Sequence, residues 1–251
     1  MQYKALIMDV DGTLMPSRID AVPSAKVKWA IREARKKGVH VGLATGRPFF
    51  LTKALFLTLE LDGPSVLSGG AHVIDSKTHK DYFKRPLLKK DIPVIYDVLS
   101  PFKVKMFVSN HEKDWLLDGT TDTSEALDIF INDLDNALAD AMITKISHIP
   151  TIAAHKTSSW SEGKVDFHIT HAWATKQHAI WEVAKILRIK RKEIIAIGES
   201  YNDFPLLMGA GLKIAMGNAV AELKAIADYI APSVEEDGVA DVIEKFILNA
   251  K

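Results

Sequence analysis

Short apolar segments alternate with helix-forming segments at both ends of the chain, and this alternation constrains the fold more than any other feature. Ala5–Met8 form an uninterrupted apolar run, residues 23–38 carry apolar side chains at helical spacing, and Val39–Ala44 and Ser65–Ser68 are again strand-like. Strands buried on both faces have such sequences, and strand–helix alternation produces a parallel sheet covered by helices. The alternation returns in residues 176–249. We therefore predict an α/β fold with a Rossmann-like parallel-sheet core.

The middle of the chain has a different pattern, in which hairpins, strands and helices are mixed. The segments that predict them are residues 73–75, 82–84, 91–99, 103–109, 114–117 and 122–141, the last of these as a helix. Such a mixture is typical of an α+β unit rather than of a longer parallel sheet. We therefore predict an inserted α+β cap domain at residues 82–168 and a core made of residues 1–81 and 169–251.

Composition excludes several classes of protein. Lys and Arg together number 32, as do Asp and Glu, so no chain-wide basic surface is available for nucleic acid or anionic membranes. The absence of cysteine excludes disulfides, thiolate metal sites and a cysteine nucleophile. The sequence begins directly with an apolar strand and has neither a signal-peptide pattern nor an apolar stretch long enough to span a bilayer. We expect a cytoplasmic protein that binds neither nucleic acid nor membranes.

Two carboxylates stand at the end of the first predicted strand, in the sequence Asp9-Val10-Asp11-Gly12-Thr13. Ligands of open α/β sheets bind beyond the carboxyl ends of the strands. Gly12 permits a turn that brings backbone N–H groups near an anion, and two such close acids need a cation or a shared proton. Calcium loops also contain Asp-x-Asp-Gly, but they carry an acid or Asn at the next alternate position, where this sequence has Thr13. A solvated acidic turn is the remaining structural alternative.

Further polar residues lie where other predicted strands end or helices begin. Thr45 and Gly46 follow the second strand, where a hydroxyl and an amide can bind phosphate oxygens, although a purely structural turn is an equal alternative. Lys176 begins a predicted helix and is either a phosphate-binding cation or a solvated charge. Glu199 and Asp203 follow another apolar strand and can complete an oxygen-ligand shell for Mg²⁺, with helix capping as the structural alternative.

Taken together, these residues resemble the motifs of the haloacid dehalogenase superfamily. In chain order, its four motifs are matched by Asp9-Val10-Asp11-Gly12-Thr13, by Thr45, by Lys176, and by Glu199 with Asp203. The insertion between the second and third motifs, and the sequence Ala-Thr-Gly-Arg at residues 44–47, resemble the Cof-type subgroup with a C2B cap. Three positions depart from the family pattern, since Glu199 replaces an Asp, Gly69 an Asn and Gln177 a frequent Gly.

The resemblance implies a Mg²⁺-dependent phosphatase that hydrolyses small phosphate monoesters, such as sugar phosphates or phosphoglycolate, in two steps. Asp9 is the implied nucleophile, which becomes an aspartyl phosphate, and Asp11 is the implied general acid and base. The implied metal ligands are Asp9, Asp11 through its carbonyl, Glu199 and Asp203. The implied phosphate-binding residues are Thr45, Gly46, Arg47, Lys176 and Asn202.

Two other functions remain open at the level of the sequence. A sugar phosphomutase of the same superfamily would need a cap that grips a second phosphate, and Arg85 stands nearly alone as a cap arginine. A phosphorylatable switch with an Asp–Mg²⁺ site would be a non-enzymatic alternative, against which Asp11 and the large insertion argue. His168 and His171, near the end of the predicted cap, are candidates to contact substrate, although lone histidines are more often structural.

Overall fold

The computed structural model describes residues 2–18, 20–118 and 123–249, and its helices and strands fall into three parts of the chain. The first part contains β1 (Ala5–Met8), α1 (Ala25–Lys36), β2 (His40–Leu43), α2 (Phe49–Thr58), β3 (Pro64–Leu67), β4 (His72–Asp75) and β5 (Asp81–Lys84). The middle part contains α3 (Asp91–Leu99), β6 (Phe107–Ser109), β7 (Asp114–Leu116), β8 (Asp128–Leu134), α4 (Asn136–Ile146), β9 (Ile152–Ser158) and β10 (Val165–His171). The last part contains α5 (Lys176–Leu187), β11 (Ile194–Gly198), α6 (Phe204–Met208), β12 (Leu212–Ala215), α7 (Ala221–Ile226), β13 (Tyr229–Ile230) and α8 (Gly238–Ile243).

The core sheet has the strand order β13–β12–β11–β1–β2, and all of its neighbouring strands are parallel. Every residue of β1 and β11 is buried, as expected for strands whose two faces are both covered. A parallel bridge between Ala44 and Val66 connects β2 to β3, which forms an antiparallel three-stranded sheet with β4 and β5. The predicted parallel core and the predicted hairpin of residues 73–75 and 82–84 are therefore confirmed.

Local sequence explains where the core helices begin. The Ser24 hydroxyl accepts a hydrogen bond from the Val27 backbone N–H at 3.1 Å and so caps α1, whose buried face includes Val27 and Ile31. The Thr175 hydroxyl caps α5 in the same way by accepting from the His178 N–H at 3.3 Å. Lys176 is therefore the first residue of a helix with a fixed starting point. Within the described ranges, no helix is long and apolar enough to cross a membrane.

The middle of the chain forms a second unit, with an antiparallel sheet of strand order β7–β6–β8–β10–β9. Helices α3 and α4 pack together and contribute to a hydrophobic cluster, drawn from residues 87–169, that shares no residue with the core cluster. This unit is the predicted α+β cap. Its proposed boundaries at residues 82 and 168 stay a prediction, and β5, which includes residues 82–84, pairs with β4.

The predicted helix at residues 122–141 is wrong over most of its length. Residues 128–134 form strand β8, and helix α4 begins only at Asn136. Asp122 lies outside the described residues. The apolar residues Ile129 and Ile131 alternate with cavity-facing residues, but Phe130 between them is also apolar and hides the period of two. Strands β9 and β10 were not predicted at all.

Candidate active site

The site lies where three neighbouring strands of the core sheet end. Because β1 pairs with both β2 and β11 in parallel register, Asp9, Thr45 and Glu199 are brought to the same edge of the sheet. All three line one cavity of about 380 Å³, as do Gly46 and Asn202. A cavity of this size is suited to a small-molecule ligand.

Lys176 joins two of the predicted acidic residues. Its Nζ donates to Asp9 Oδ1 at 2.7 Å and to Asp203 Oδ1 at 2.6 Å, and its side chain is only 2% exposed. Gly70 lets the chain pass close to this lysine, since it has a φ of 116° and a Cβ there would stand 2.3 Å from the carbonyl carbon of Thr175. Lys176 is therefore a buried cation held against the predicted nucleophile. Its predicted contact with phosphate stays a prediction.

Asp203 orders the turn that follows β11. Its Oδ2 accepts hydrogen bonds from the backbone N–H groups of Glu199 at 2.9 Å and Ser200 at 3.1 Å, while its Oδ1 accepts from Lys176. These contacts fix the backbone from which the Glu199 side chain extends toward Asp9. Both oxygens of Asp203 thus already accept hydrogen bonds. Its role as a direct metal ligand stays a prediction.

The carboxylates of the site carry more negative charge than Lys176 offsets. Burial, together with the charge of Asp203, raises the pKa of Asp9 to about 7. Burial, together with the charges of Asp9 and Asp203, raises the pKa of Glu199 to about 8. Burial alone would lower the pKa of Lys176, but the carboxylates of Asp203 and Asp9 outweigh it and raise that pKa above its ordinary value. A further cation would therefore stabilise the ionised site.

The donor set fits Mg²⁺, a hard cation that prefers oxygen ligands. Among the described residues, no three Asp, Glu or His side chains are close enough together to hold an ion by themselves. A magnesium site here would thus need a backbone oxygen beside the carboxylates of Asp9 and Glu199, and the predicted Asp11 carbonyl is such an oxygen. Mg²⁺ also keeps several waters in many protein sites, so a small number of protein ligands is sufficient.

Asp11 is held by residues from two different parts of the chain. Arg47 donates to it through two nitrogens, Nε to Oδ2 at 2.9 Å and Nη2 to Oδ1 at 2.6 Å. Trp160, in the turn between β9 and β10, donates its Nε1–H to Asp11 Oδ1 at 3.4 Å. The Arg47 guanidinium carbon also lies 5.3 Å from the centre of the Trp160 ring. The predicted general acid is therefore contacted by the cap as well as by the core, and the predicted phosphate contact of Arg47 stays a prediction.

The turn after β1 is shaped by Gly12 and closed by Asn218. Gly12 has a φ of 75°, and a Cβ there would lie 3.1 Å from Glu199 Cγ and Cδ, so a larger residue would displace the predicted metal ligand. Asn218 donates to the Gly12 carbonyl at 2.8 Å and accepts from the Val234 N–H at 2.9 Å. Asn218 was missed in the sequence. It could have been found, because it follows β12 as the other polar residues follow β1, β2 and β11.

The opposite side of the cavity belongs to the cap, and we call it the cap wall. It consists of Ser109, Asp114, Asp128, Phe130, Asn132, Asp133, Thr157, Asp166 and His168. His168, a candidate for substrate contact, is thus placed in the cavity wall, whereas His171 is not among the lining residues. The acids of the cap wall were not predicted as site residues. The strands of Asp128, Asp133 and Asp166 were not recognised, whereas the strand of Asp114 was predicted at residues 114–117.

Known proteins resemble this chain over nearly its whole length. The family model for haloacid dehalogenase-like hydrolases matches residues 6–243. A 5-amino-6-(5-phospho-D-ribitylamino)uracil phosphatase of Bacillus subtilis is 28% identical over 99% of this chain and 97% of its own length. A phosphoglycolate phosphatase of Saccharolobus solfataricus is 26% identical over 97% of this chain and 96% of its own length.

Solved structures show the same fold. A haloacid dehalogenase-like hydrolase from Bacillus subtilis superposes with a TM-score of 0.84 and 22% identity, over 96% of this chain and 99% of that one. A sugar phosphatase of haloacid dehalogenase subclass IIB superposes with a TM-score of 0.79 and 20% identity, over 97% and 98% of the two chains. The predicted family resemblance and the predicted core-plus-cap architecture are therefore confirmed.

Proposed function

The chain belongs to the haloacid dehalogenase-like hydrolases, and from that premise we propose that it is a Mg²⁺-dependent phosphatase of small phosphate monoesters. The observation that carries the proposal is the setting of Asp9, a carboxylate at a strand end that lines the cavity while Lys176 holds one of its oxygens. Similarity over nearly the whole chain to proteins named as phosphatases supports the same reaction type.

In the proposed reaction, a carboxylate oxygen of Asp9 attacks phosphorus and the ester P–O bond breaks, which leaves an aspartyl phosphate. Asp11 gives its proton to the departing oxygen and then removes a proton from the water that attacks the phosphoryl group. That second attack releases inorganic phosphate and restores the Asp9 carboxylate. Mg²⁺, when bound, would supply positive charge between the carboxylates and the phosphate.

The other residues have supporting roles in this scheme. Lys176 keeps Asp9 in place and opposes its charge, and Asp203 holds Lys176. Thr45, Gly46 and Asn202 line the cavity, where hydroxyl, backbone N–H and amide donors would bind the phosphoryl oxygens. Arg47 holds Asp11 through two hydrogen bonds. It also lines the cavity, where it could bind a phosphate oxygen instead of Asp11.

Hydrolysis of 4-nitrophenyl phosphate tests the proposal. We expect steady release of phosphate that requires Mg²⁺ and stops on chelation, and steady turnover would also separate an enzyme from a phosphorylatable switch. Asp9→Asn should lower kcat by at least about a thousandfold while the protein stays folded, because only the nucleophilic oxygen is lost. Asp62→Asn, which changes an exposed carboxylate away from the cavity, is the matched control. Comparable turnover by folded Asp9→Asn would remove the nucleophile from its proposed role.

Asp11 is tested by esters with different leaving groups. Nitrophenolate leaves without needing a proton, whereas an alkoxide does need one. Asp11→Asn should therefore release a first equivalent of nitrophenol at near the normal rate and then stall, because water is no longer activated. With an alkyl phosphate, even the first equivalent should be slow. Equal fractional losses in the first turnover of both esters, measured by rapid mixing, would contradict the role as general acid.

A further inference from the structure

A row of four aromatic rings crosses the cap sheet beside the cavity. Phe107, Phe130, His168 and His155 are register partners on β6, β8, β10 and β9. Consecutive ring centres lie 5.4, 6.0 and 5.7 Å apart, and the rings are nearly parallel, with interplanar angles of 21°, 22° and 14°. Phe130 and His168 line the cavity. The cap therefore places two rings of this stacked row, Phe130 and His168, in the wall that faces the leaving group.

Carboxylates stand beside this aromatic row because strand side chains alternate between faces. Asp128 lies two residues before Phe130, and Asp166 lies two residues before His168, so each acid shares the cavity face with its ring. Ile129, Ile131 and Ile169 point to the other face and belong to the cap's hydrophobic cluster. Asp114, on β7, and Asp133, at the end of β8, add two more acids to the cavity lining.

One basic residue faces these four acids among the described residues of the cap wall. His168 Nδ1 lies 2.6 Å from Asp128 Oδ2, so a protonated His168 offsets the charge of that one carboxylate. Burial would lower the pKa of His168, but Asp128, with smaller contributions from Asp166 and Asp114, outweighs it and raises that pKa. The second oxygen of Asp128, Oδ1, is buried and has no hydrogen-bond partner in the described chain. With four acids and one basic group, the wall has an excess of acidic groups, although burial raises the pKa values of Asp114, Asp128 and Asp166.

We infer that the cap wall selects phosphate esters whose leaving group is uncharged or cationic and rejects those that carry a second anion. The inference rests on the proposed phosphatase function, since it concerns the non-phosphate end of the same substrate. Hydroxyl and ammonium groups donate hydrogen bonds to carboxylates, and the C–H faces of a polyol pack well on aromatic rings. A carboxylate or second phosphate would meet like charge at this wall.

The names of the two relatives describe phosphate esters with different leaving groups. The ribitylaminouracil ester of the Bacillus subtilis phosphatase has an uncharged polyol next to the phosphate, whereas phosphoglycolate carries a carboxylate. The cap wall of this chain favours the first kind of leaving group over the second. It also opposes the second phosphate that a sugar phosphomutase must hold.

Three open-chain six-carbon esters test the inference, because they differ mainly in charge at one end. They are sorbitol 6-phosphate, its 1-amino-1-deoxy analogue and 6-phosphogluconate. We expect kcat/KM for the neutral and the cationic ester to exceed that for the anionic ester by at least about tenfold, with a smaller ratio in high salt. Where turnover is slow, Ki against 4-nitrophenyl phosphate replaces kcat/KM. An anionic ester that is bound and hydrolysed as well as the neutral one would overturn the inference.

A cap variant tests the cause of the selection. Asp114→Asn with Asp166→Asn removes two charges from the wall and keeps hydrogen-bonding oxygens, so the ratio should fall toward one while 4-nitrophenyl phosphate is still hydrolysed. Asp97→Asn removes an exposed charge on α3, outside the cavity lining, and should leave the ratio unchanged. An unchanged ratio in the folded double variant would overturn the inference. If no ester, including 4-nitrophenyl phosphate, is hydrolysed, the proposed function itself fails, which is a distinguishable result.

Discussion

The charged residues of the site comprise one lysine shared by two acids, one arginine–acid pair, and one acid that lacks a cation of its own. Lys176 is shared between Asp9 and Asp203, and Arg47 is committed to Asp11. Glu199 has neither a lysine nor an arginine partner among the described contacts, and its pKa is raised to about 8. Such a carboxylate is costly to ionise unless a cation binds beside it. Glu199, one of the three positions that depart from the family pattern, is thus the acid of the site that most needs a bound cation.

Mg²⁺ binding should therefore depend on pH in a defined direction. Asp9 and Glu199 must lose their protons to act as ligands, and their pKa values are raised to about 7 and about 8. The stabilisation by Mg²⁺ should be present above these values and lost as the pH falls through them. We expect the Mg²⁺-induced rise in Tm to be larger at pH 8 than at pH 6.

Glu199→Gln isolates the contribution of this proposed ligand. The variant should weaken Mg²⁺ binding by more than about tenfold, a loss seen even for residues that contact a metal only indirectly. Glu60→Gln, a change at an exposed surface carboxylate, is the control. A Mg²⁺-induced shift in Tm that is equal at pH 6 and pH 8, or unchanged by Glu199→Gln, would contradict the assignment.

At the scale of elements, the sequence reveals the core better than the cap. The strands of the core sheet are continuous apolar runs followed by polar residues, so the edge at which Asp9, Thr45 and Glu199 meet follows from the alternation alone. The side-chain pairing does not follow from the alternation. The contacts of Arg47 with Asp11 and of Lys176 with Asp203 depend on side-chain directions across the sheet edge. Sequence spacing carries no information on those directions.

The cap strands are harder to predict because their two faces differ less in polarity. In β8, the cavity side carries Phe130 between Asp128 and Asn132, so an apolar side chain interrupts the polar face. The following helix has apolar residues at helical spacing, and the two patterns merge in the sequence. The ring row and the acids of the cap wall could therefore not be placed until the strand register was known.

The turn between β9 and β10 is the part of the cap that contacts Asp11 and Arg47 in the active site. Ser159 donates to Asp133 at 2.7 Å, which anchors the turn, and Trp160 then reaches Asp11 and Arg47. Cation–π contacts at partly exposed sites contribute about 0.5–1 kcal/mol. Trp160→Ala should accordingly lower kcat/KM for phosphate esters by about twofold to tenfold, mainly through a higher KM.

Two further variants separate the contributions of the Trp160 ring. Trp160→Phe keeps an aromatic face and loses the N–H donor, so its kcat/KM should lie between those of the wild type and Trp160→Ala. Trp29→Ala removes a tryptophan that is exposed to a similar degree, 48% against 45%, on the core helix α1 and should have no effect on KM. If Trp160→Ala and Trp29→Ala give the same KM, the turn makes no energetic contribution to binding.

At the scale of the whole molecule, the two large hydrophobic clusters support different parts of the site, and a small third cluster joins Leu127 to Ala71 and Ala174. The core cluster supports every residue to which we assign a step of the reaction, whereas the cap cluster, drawn from residues 87–169, supports the wall that faces the leaving group. Because the clusters share no residue, removing the whole of residues 87–169 takes away the apolar side chains of the cap together. A partial deletion would instead leave some of them exposed to water.

Replacing residues 87–169 with a short Gly-Ser linker should therefore affect the two kinds of ester differently. Asp9, Lys176 and Glu199 remain, and nitrophenolate needs few leaving-group contacts, so 4-nitrophenyl phosphate should still be hydrolysed. Sorbitol 6-phosphate loses the ring row, the acceptor carboxylates and exclusion of water, and its kcat/KM should fall by at least about tenfold more. A retained Mg²⁺-induced rise in Tm shows that the core is folded. Equal losses on both esters in a folded core would show that the cap does not determine selectivity.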